Sequence, residues 1–365
     1  MKILYAIQGT GNGHLSRARD VVPALKKFCE VDILVSGYQA DVKLPFEVKY
    51  NYRGLSFIFG KKGGVDMWNT YVKANIKKLR EEIKSVPVED YDFVINDFEP
   101  VSAWACYKKK VPCVAFSHQS AVLNPNAPKP KTTDLMGRFI LKNYAPSNMQ
   151  FGLHFSRYSP TIFTPIIRSE IRQAKLSNKG HYTVYLPAYG DDKLVTLLSE
   201  VKGTKWHIFS KHTKKSSEHG DIKVFPITNE LYIESLRKSA GLLCGAGFEG
   251  PAEALHMGKK LMVVPMKGQY EQQCNAAALK SMGVPVIKKL NESKIGKIQN
   301  WVDSDYRVEV DYPDVTELII KQIFESHVLE LIKKNNWNTT FSLKFDKKDL
   351  TGKESSKNKK KKNKP

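Results

Sequence analysis

Residues 241–275 read GLLCGAGFEGPAEALHMGKKLMVVPMKGQYEQQCN. The apolar run at 241–244 predicts a buried strand, and the glycines that follow it predict a sharp turn. A helix then begins near Phe248, with Pro251 in its first turn, where a missing N–H group does no harm. Gly258 ends that helix, and residues 260–264 form the next apolar strand. This order predicts a βαβ unit of a parallel sheet.

The start of this predicted helix has the chemistry of an anion site. Free backbone N–H groups and the helix dipole favour a bound diphosphate at a helix N-terminus. The carboxylate of Glu253, one turn further along, can accept two hydrogen bonds from a ribose diol, and amides can bind sugar hydroxyls without adding charge. These features predict a nucleotide-sugar site formed by Gly247, Phe248, Glu249, Gly250, Glu253, Gln272 and Gln273. An ordinary βαβ unit with polar loop residues is the alternative interpretation.

A second glycine-rich turn, Gly9-Thr-Gly-Asn-Gly-His14, follows the apolar strand predicted at 2–7. Glycines let a ligand approach the backbone, and a neutral imidazole at such a turn can accept a proton near neutral pH. The turn is not a dinucleotide-binding fingerprint, because its third glycine is missing and no acidic residue ends the second strand. The turn predicts His14 as a catalytic base, with Gly11, Asn12 and Gly13 beside the acceptor. A tight turn whose histidine only caps the helix is the alternative.

Short apolar runs alternate with helical stretches along the rest of the chain, which is typical of parallel α/β sheets. Further strands are predicted at 31–35, 46–50, 93–96, 114–116, 183–186, 206–209, 223–225 and 286–287, with helices at 17–28 and 68–86. Residues 124–158 are predicted to be loop or helix. A proline-containing segment at 159–177 separates two doubly wound sheets. We therefore expect an α/β fold with an N-terminal domain at 1–160, a second domain at 161–335 and a disordered basic tail at 336–365.

Polar residues follow two more of the predicted strands of the first domain. Asp97 and Glu99 follow the strand at 93–96, and His118 follows the strand at 114–116. Ligands bind at the carboxyl ends of strands in such sheets, so these side chains are expected to face the cleft between the domains. Asp97 or Glu99 is predicted to orient His14 or to bind acceptor hydroxyls, and His118 to assist. A helix cap for Asp97 and a structural role for His118 are equally consistent with the sequence.

The stretch from Phe225 to Asn275 resembles the donor-binding half of glycosyltransferases of the GT-B fold, in which two Rossmann-like domains face each other across a cleft. It is most similar to the lipid II-forming UDP-N-acetylglucosaminyltransferase family and more distantly similar to UDP-glycosyltransferases, and the turn before His14 resembles their first loop. The resemblance implies a UDP-sugar donor, with Ile227 beside the base and Tyr189 beside the phosphates. It also implies transfer of the sugar to a hydroxyl acceptor with inversion. No metal or other cofactor is expected, because a convincing DxD cluster is not apparent and a helix dipole can replace a cation.

The net charge of +21 points to an anionic partner. Residues 351–365 contain seven lysines and one glutamate, and basic clusters occur at 61–62, 77–78, 108–110, 129–131 and 214–215. Such an excess favours a membrane surface with a lipid-linked acceptor, another phosphorylated substrate or nucleic acid. Solvated lysine faces are the alternative for each cluster.

Features that are not apparent in the sequence indicate the cellular location and weigh against two rival functions. The five cysteines are scattered, and no signal sequence or membrane span is apparent, which predicts a cytoplasmic protein, peripheral on the inner membrane face at most. Nucleic-acid binding is not expected, because basic residues interleaved with stacking aromatics are not evident. A non-hydrolysing nucleotide-sugar epimerase is the same-fold rival, although the Glu-Glu and Arg-Pro-Glu segments typical of such enzymes are not apparent.

Overall fold

The structure is a computed structural model that describes residues 1–10, 12–37, 44–55, 76–132 and 134–325, and the backbone of 59–60 and 64–65. Several sequence predictions lie outside these residues. They concern Gly11, the lysines at 61–62, the first part of the helix predicted at 68–86 and the basic tail at 336–365.

Two mainly parallel sheets, each flanked by helices, form the described part of the chain. The first sheet has seven strands in the order β3-β2-β1-β6-β7-β8-β9, and the second has six in the order β12-β13-β11-β10-β14-β15. Strands β4 and β5 form a separate antiparallel pair, and β12 pairs antiparallel with β13. The predicted pair of Rossmann-like domains is thereby confirmed. The strands are β1 Lys2–Gln8, β2 Glu30–Ser36, β3 Tyr50–Tyr52, β4 Phe59–Gly60, β5 Gly64–Val65, β6 Phe93–Asp97, β7 Cys113–Ser117, β8 Met149–Leu153, β9 Ile162–Phe163, β10 His181–Tyr185, β11 Lys205–Ser210, β12 Ser217–His219, β13 Ile222–Pro226, β14 Gly241–Gly245 and β15 Lys260–Val264.

Helices connect most of these strands and cover the faces of both sheets. They are α1 Asn12–Leu25, α2 Ile76–Ser85, α3 Pro100–Lys109, α4 His118–Val122, α5 Leu135–Asn143, α6 Ser169–Arg172, α7 Asp191–Ser199, α8 Asn229–Lys238, α9 Glu249–His256, α10 Tyr270–Ser281, α11 Ile295–Asp303 and α12 Thr316–Phe324. None of these helices, over the ranges the structure describes, is long and apolar enough to cross a bilayer.

Strand β1 lies inside the first sheet, between β2 and β6, and is buried on both faces. Ile3, Tyr5 and Ile7 belong to the apolar cluster that includes residues of α1, whereas Leu4 and Ala6 belong to the cluster on the opposite face. Alternate side chains of a strand point to opposite faces, so a strand covered by helices on both sides must be apolar throughout. This burial fixes the end of β1, where the chain turns into α1.

The sequence prediction was wrong over part of residues 124–158, since β8 lies there and pairs with both β7 and β9. The strand reads MQFGL, which has no β-branched residue and contains a glycine that weakens local strand preference. Pairing on both sides compensates for this weak strand preference. The glycine also allows a close approach to Ala121, because a Cβ added at Gly152 would lie 2.7 Å from the alanine Cβ. The strand predicted at 46–50 is also displaced, to Tyr50–Tyr52, and residue 286 forms only a single bridge, with Val263.

The last described helix, α12, returns from the second sheet and packs against α1 of the first. The ring of Phe324 stacks on Phe28 with centroids 5.8 Å apart and meets the edge of Phe93 at 5.4 Å. An ion pair between Lys27 and Glu317 lies beside these rings. The first sheet is therefore covered on this side by residues from the far end of the described chain.

Candidate active site

The carboxyl ends of β1 and β6 bring His14 and Asp97 together. The Nδ1 atom of His14, in the first turn of α1, lies 2.8 Å from Oδ1 of Asp97, the last residue of β6. Asp97 is fully buried, whereas the His14 side chain is 14% exposed. Because Nδ1 is engaged by the carboxylate, Nε2 is the ring nitrogen that can accept a proton.

Arg17 completes this group, and the sequence analysis missed it. Its Nη2 donates to both carboxylate oxygens of Asp97, at 2.7 and 2.8 Å, and lies 3.3 Å from Nδ1 of His14. Burial opposes ionisation of Asp97, but Arg17 and His14 outweigh it and hold the pKa of Asp97 below its usual range. A signal for Arg17 existed, since residues three apart on a helix share one face.

The structure corrects the prediction that Glu99 faces the cleft. Its carboxylate is fully buried and caps α3, accepting hydrogen bonds from the backbone N–H groups of Val101 and Ser102, each at 2.6 Å. The Ser36 hydroxyl donates a third, at 2.5 Å. Burial raises the pKa of Glu99 against these hydrogen bonds. Glu99, and not Asp97, is therefore the helix cap at this strand end.

Glu249, from the half of the chain that forms the second sheet, contacts the group formed by His14, Asp97 and Arg17. It is the first residue of α9, and its carboxylate accepts a hydrogen bond from Nη1 of Arg17. Its side chain also lies against Gly13, where an added Cβ would be 3.0 Å from Cγ of Glu249. Burial raises the pKa of Glu249 to about 7, although the Arg17 cation works in the other direction. The first turn of α9 and the His14 turn are therefore in direct contact.

The turn before α9 leaves space for a ligand. A Cβ built on Gly247 would meet no described atom within 4 Å, and the same holds for Gly190 beyond β10. Gly250 lies in the first turn of α9, where a Cβ would be 3.5 Å from the Tyr232 hydroxyl. A diphosphate can therefore approach the backbone of this turn closely.

His118 does not face an open acceptor site, and this prediction is corrected. Its ring stacks on Phe248, the residue before α9, with centroids 3.9 Å apart and planes at 6°. Nε2 lies 2.7 Å from Oδ1 of Asn275, and Nδ1 lies 2.7 Å from the Leu153 carbonyl oxygen. Burial lowers the pKa of this imidazole. His118 thus joins the two sheets and has both ring nitrogens occupied.

Glu253 is not open to a ribose in this structure, contrary to the sequence prediction. Its two carboxylate oxygens accept hydrogen bonds from Nε and Nη2 of Arg168, at 2.5 and 2.9 Å, and its side chain is 4% exposed. Arg168 lies between β9 and α6, and it also contacts Glu170 and Asn229. The pair fastens the segment between the sheets to α9.

The remaining predicted residues lie around the same sheet edge. The side-chain oxygen of Gln272 accepts a hydrogen bond from the backbone N–H of Met266 at 2.9 Å, beside Gly245. Gln273 and Asn12 lie in the first turns of α10 and α1. The Tyr189 hydroxyl accepts from the Leu290 N–H at 3.0 Å, and the Ile227 N–H donates to the Ser210 carbonyl at 2.9 Å.

A polar contact between the sheets was also missed from the sequence. Gln119, which follows β7, donates from Nε2 to the Glu271 carboxylate of α10 at 3.2 Å. Residues that meet only across the two sheets carry no local sequence signal.

Comparison with known proteins identifies the chain's family. The family model described as "Glycosyl transferase family 1" matches residues 1–304, which is most of the chain. The chain belongs to this glycosyltransferase family. Its activity is accordingly transfer of a sugar from a nucleotide sugar. No protein of curated function matches the sequence significantly.

Solved structures of other glycosyltransferases share the fold of this one. MurG of Acinetobacter baumannii is 14% identical, with a TM-score of 0.50 over 91% of this chain and 99% of MurG. LpCGTa in complex with UDP is 11% identical, with a TM-score of 0.54 over 91% and 97% of the two chains. UGT89C1 of Arabidopsis thaliana, complexed with UDP, is 11% identical, with a TM-score of 0.53 over 91% and 98%. At these identities the likeness establishes the GT-B fold of the glycosyltransferase.

Proposed function

We propose that this glycosyltransferase transfers a sugar from a UDP-sugar to a hydroxyl acceptor, with inversion at the anomeric carbon. The observation that carries the proposal is the 2.8 Å contact between His14 and Asp97, beside the start of α9. A histidine oriented by a buried carboxylate is suited to accept a proton at Nε2. The acceptor hydroxyl loses that proton as its oxygen attacks the anomeric carbon and the bond to the diphosphate breaks.

The donor diphosphate is proposed to bind at the first turn of α9. The backbone N–H groups of Phe248, Glu249 and Gly250 and the positive end of the helix dipole favour an anion there, and the Arg17 guanidinium lies beside them. These positive groups stabilise a departing diphosphate without a metal ion. UDP as the nucleotide draws support from LpCGTa and UGT89C1, both of which were solved with UDP.

The roles of the two halves follow from the same arrangement. We assign residues 1–160 to the acceptor side, because they supply His14 and Asp97, and residues 161–335 to the donor side, because they supply α9. A lipid-linked acceptor at an anionic membrane surface accords with the net charge of +21.

A ligand panel tests the donor assignment. UDP is expected to raise the melting temperature more than UMP, ADP or GDP, because both the base and the second phosphate contribute to binding. Incubation with UDP-sugars and a polyhydroxylated acceptor should then release UDP. A melting temperature that responds to another nucleoside diphosphate and not to UDP would contradict the assignment.

A further inference from the structure

We propose that Arg17 binds a phosphate of the donor and that the Glu249 carboxylate competes with this phosphate for Arg17. The inference rests on the proposed function, since it takes the diphosphate site at the start of α9 as given. It adds a phosphate ligand from the first sheet and an internal competitor from the second.

The position of Glu249 is the first reason. Its backbone N–H belongs to the helix end that favours an anion, and its side chain lies against Gly13 and accepts a hydrogen bond from Arg17. The carboxylate therefore lies between the two glycine-rich turns, where a donor phosphate would also lie. Two anions at one guanidinium repel each other, so one weakens the binding of the other.

The bonding of Arg17 is the second reason. Asp97 holds the guanidinium through Nη2, and Nη1 is bound to Glu249. The Nε atom of Arg17 is also buried, and it has no hydrogen-bond partner among the described residues. The Asp97 carboxylate therefore fixes the Arg17 guanidinium. The Glu249 carboxylate, on a side chain that is 22% exposed, binds Nη1, the atom that faces α9. A guanidinium held in this way suits a phosphate oxygen.

The charges around Glu249 allow a donor phosphate to replace its carboxylate as the partner of Arg17. The ionisable groups that act on it are Arg17, Glu253, His14 and Asp97, and burial raises its pKa to about 7. A phosphate nearby would raise that pKa further, so donor binding takes up a proton at neutral pH. Because Arg17 also holds Asp97, which orients His14, one side chain connects the leaving group to the base.

The test measures UDP affinity by calorimetry for wild type and Glu249→Gln at about pH 6 and about pH 8. The variant removes the competing charge, so we expect it to bind UDP about tenfold more tightly at the higher pH, a change of about 1.4 kcal/mol. Between the two pH values, wild type should lose affinity relative to the variant. The titration of UDP itself is common to both proteins and cancels. Glu218→Gln, which removes an exposed carboxylate paired with Lys223, is the matched control and should behave as wild type.

Each outcome separates this inference from the proposed function. Equal or weaker UDP binding by Glu249→Gln would overturn the inference alone, whereas absence of UDP binding by both proteins would overturn the proposed donor as well. A further variant, Arg17→Lys, should weaken UDP binding about tenfold or more. If Glu249→Gln tightens binding equally in the Arg17→Lys background, Arg17 is not the phosphate ligand.

Discussion

Nδ1 of His14 and Oδ1 of Asp97 lie 2.8 Å apart although 83 residues separate them in the chain. The carboxylate is fully buried and has a lowered pKa, so it is ionised at neutral pH and accepts a hydrogen bond from Nδ1–H. This fixes the tautomer in which Nε2 carries the lone pair. Both the orientation and the tautomer of His14 thus depend on a residue at the end of another strand.

His14→Ala should therefore lower kcat by roughly 10²–10⁴-fold, the usual contribution of a positioned base, with little change in UDP affinity. The donor is proposed to bind through the first turn of α9 and Arg17, whereas Nε2 of His14 is assigned to the acceptor hydroxyl. Steady-state kinetics and UDP calorimetry on the same preparation give both quantities. His219→Ala, at an exposed histidine of β12, is the control. Loss of UDP affinity with turnover unchanged would instead identify His14 as a donor ligand.

Glu99→Gln should affect stability and not catalysis. The amide replaces one of the two carboxylate oxygens, which together accept hydrogen bonds from Val101, Ser102 and Ser36, with an N–H donor. The free energy of unfolding should therefore fall by about 1–3 kcal/mol. We expect kcat of the folded variant to stay within about threefold of wild type, because the carboxylate does not reach the cleft. Urea unfolding and initial rates measure the two effects. A hundredfold loss of kcat in a stable variant would show that Glu99 takes part in catalysis.

Glu253→Gln should be destabilising by about 3–5 kcal/mol, because it leaves the Arg168 guanidinium buried beside an uncharged partner. Replacing both residues by methionine should recover most of this loss, since a buried ion pair exchanged for apolar side chains of similar size is often neutral. Urea unfolding of the two variants gives the comparison. Equal stability of wild type and Glu253→Gln would show that the pair does not hold the segment between the sheets.

The difference in stability between wild type and the Glu249→Gln variant should depend on pH in a defined direction. The pKa of Glu249 is about 7 in the folded protein against an ordinary 4.5, so the folded state binds more protons between these values. Wild type therefore loses stability relative to the variant as pH rises from about 4.5 to about 7, by about 1–3 kcal/mol in total. Unfolding at about pH 5 and about pH 8 measures this difference, and Glu218→Gln should show none over that range. A difference that narrows as pH rises would contradict the raised pKa.

Much of the fold could be predicted from local signals. The strands Gly241–Gly245 and Lys260–Val264 and the helix Glu249–His256 lie within one or two residues of their predicted bounds, because an apolar run, a glycine turn and a proline mark them. Strand β8 could not be predicted in this way, because its stability comes from pairing with strands on both sides.

In the candidate site, too, local sequence predicts some features, whereas others depend on contacts between distant residues. His14 and Asp97 could be placed at the same sheet edge, because each follows a predicted strand. Which carboxylate would meet the imidazole, Asp97 or Glu99, could not be predicted, since it depends on the backbone between them, where Phe98 has a φ of +58°. The partner of Glu253 was equally inaccessible, because Arg168 lies 85 residues earlier in the sequence and belongs to no predicted motif.

The packing of α12 against α1 has a consequence for the order in which the protein folds during synthesis on the ribosome. The buried ring of Phe93 packs against Phe324, which also stacks on the partly exposed Phe28. The amino-terminal sheet therefore emerges with an apolar surface that the end of the described chain covers. Its folding can begin early but is completed after residue 324 has left the exit tunnel. A gene cut between the two sheets would yield an amino-terminal fragment with that surface exposed to water, and separate expression of the halves should give an aggregating first half unless α12 is supplied with it.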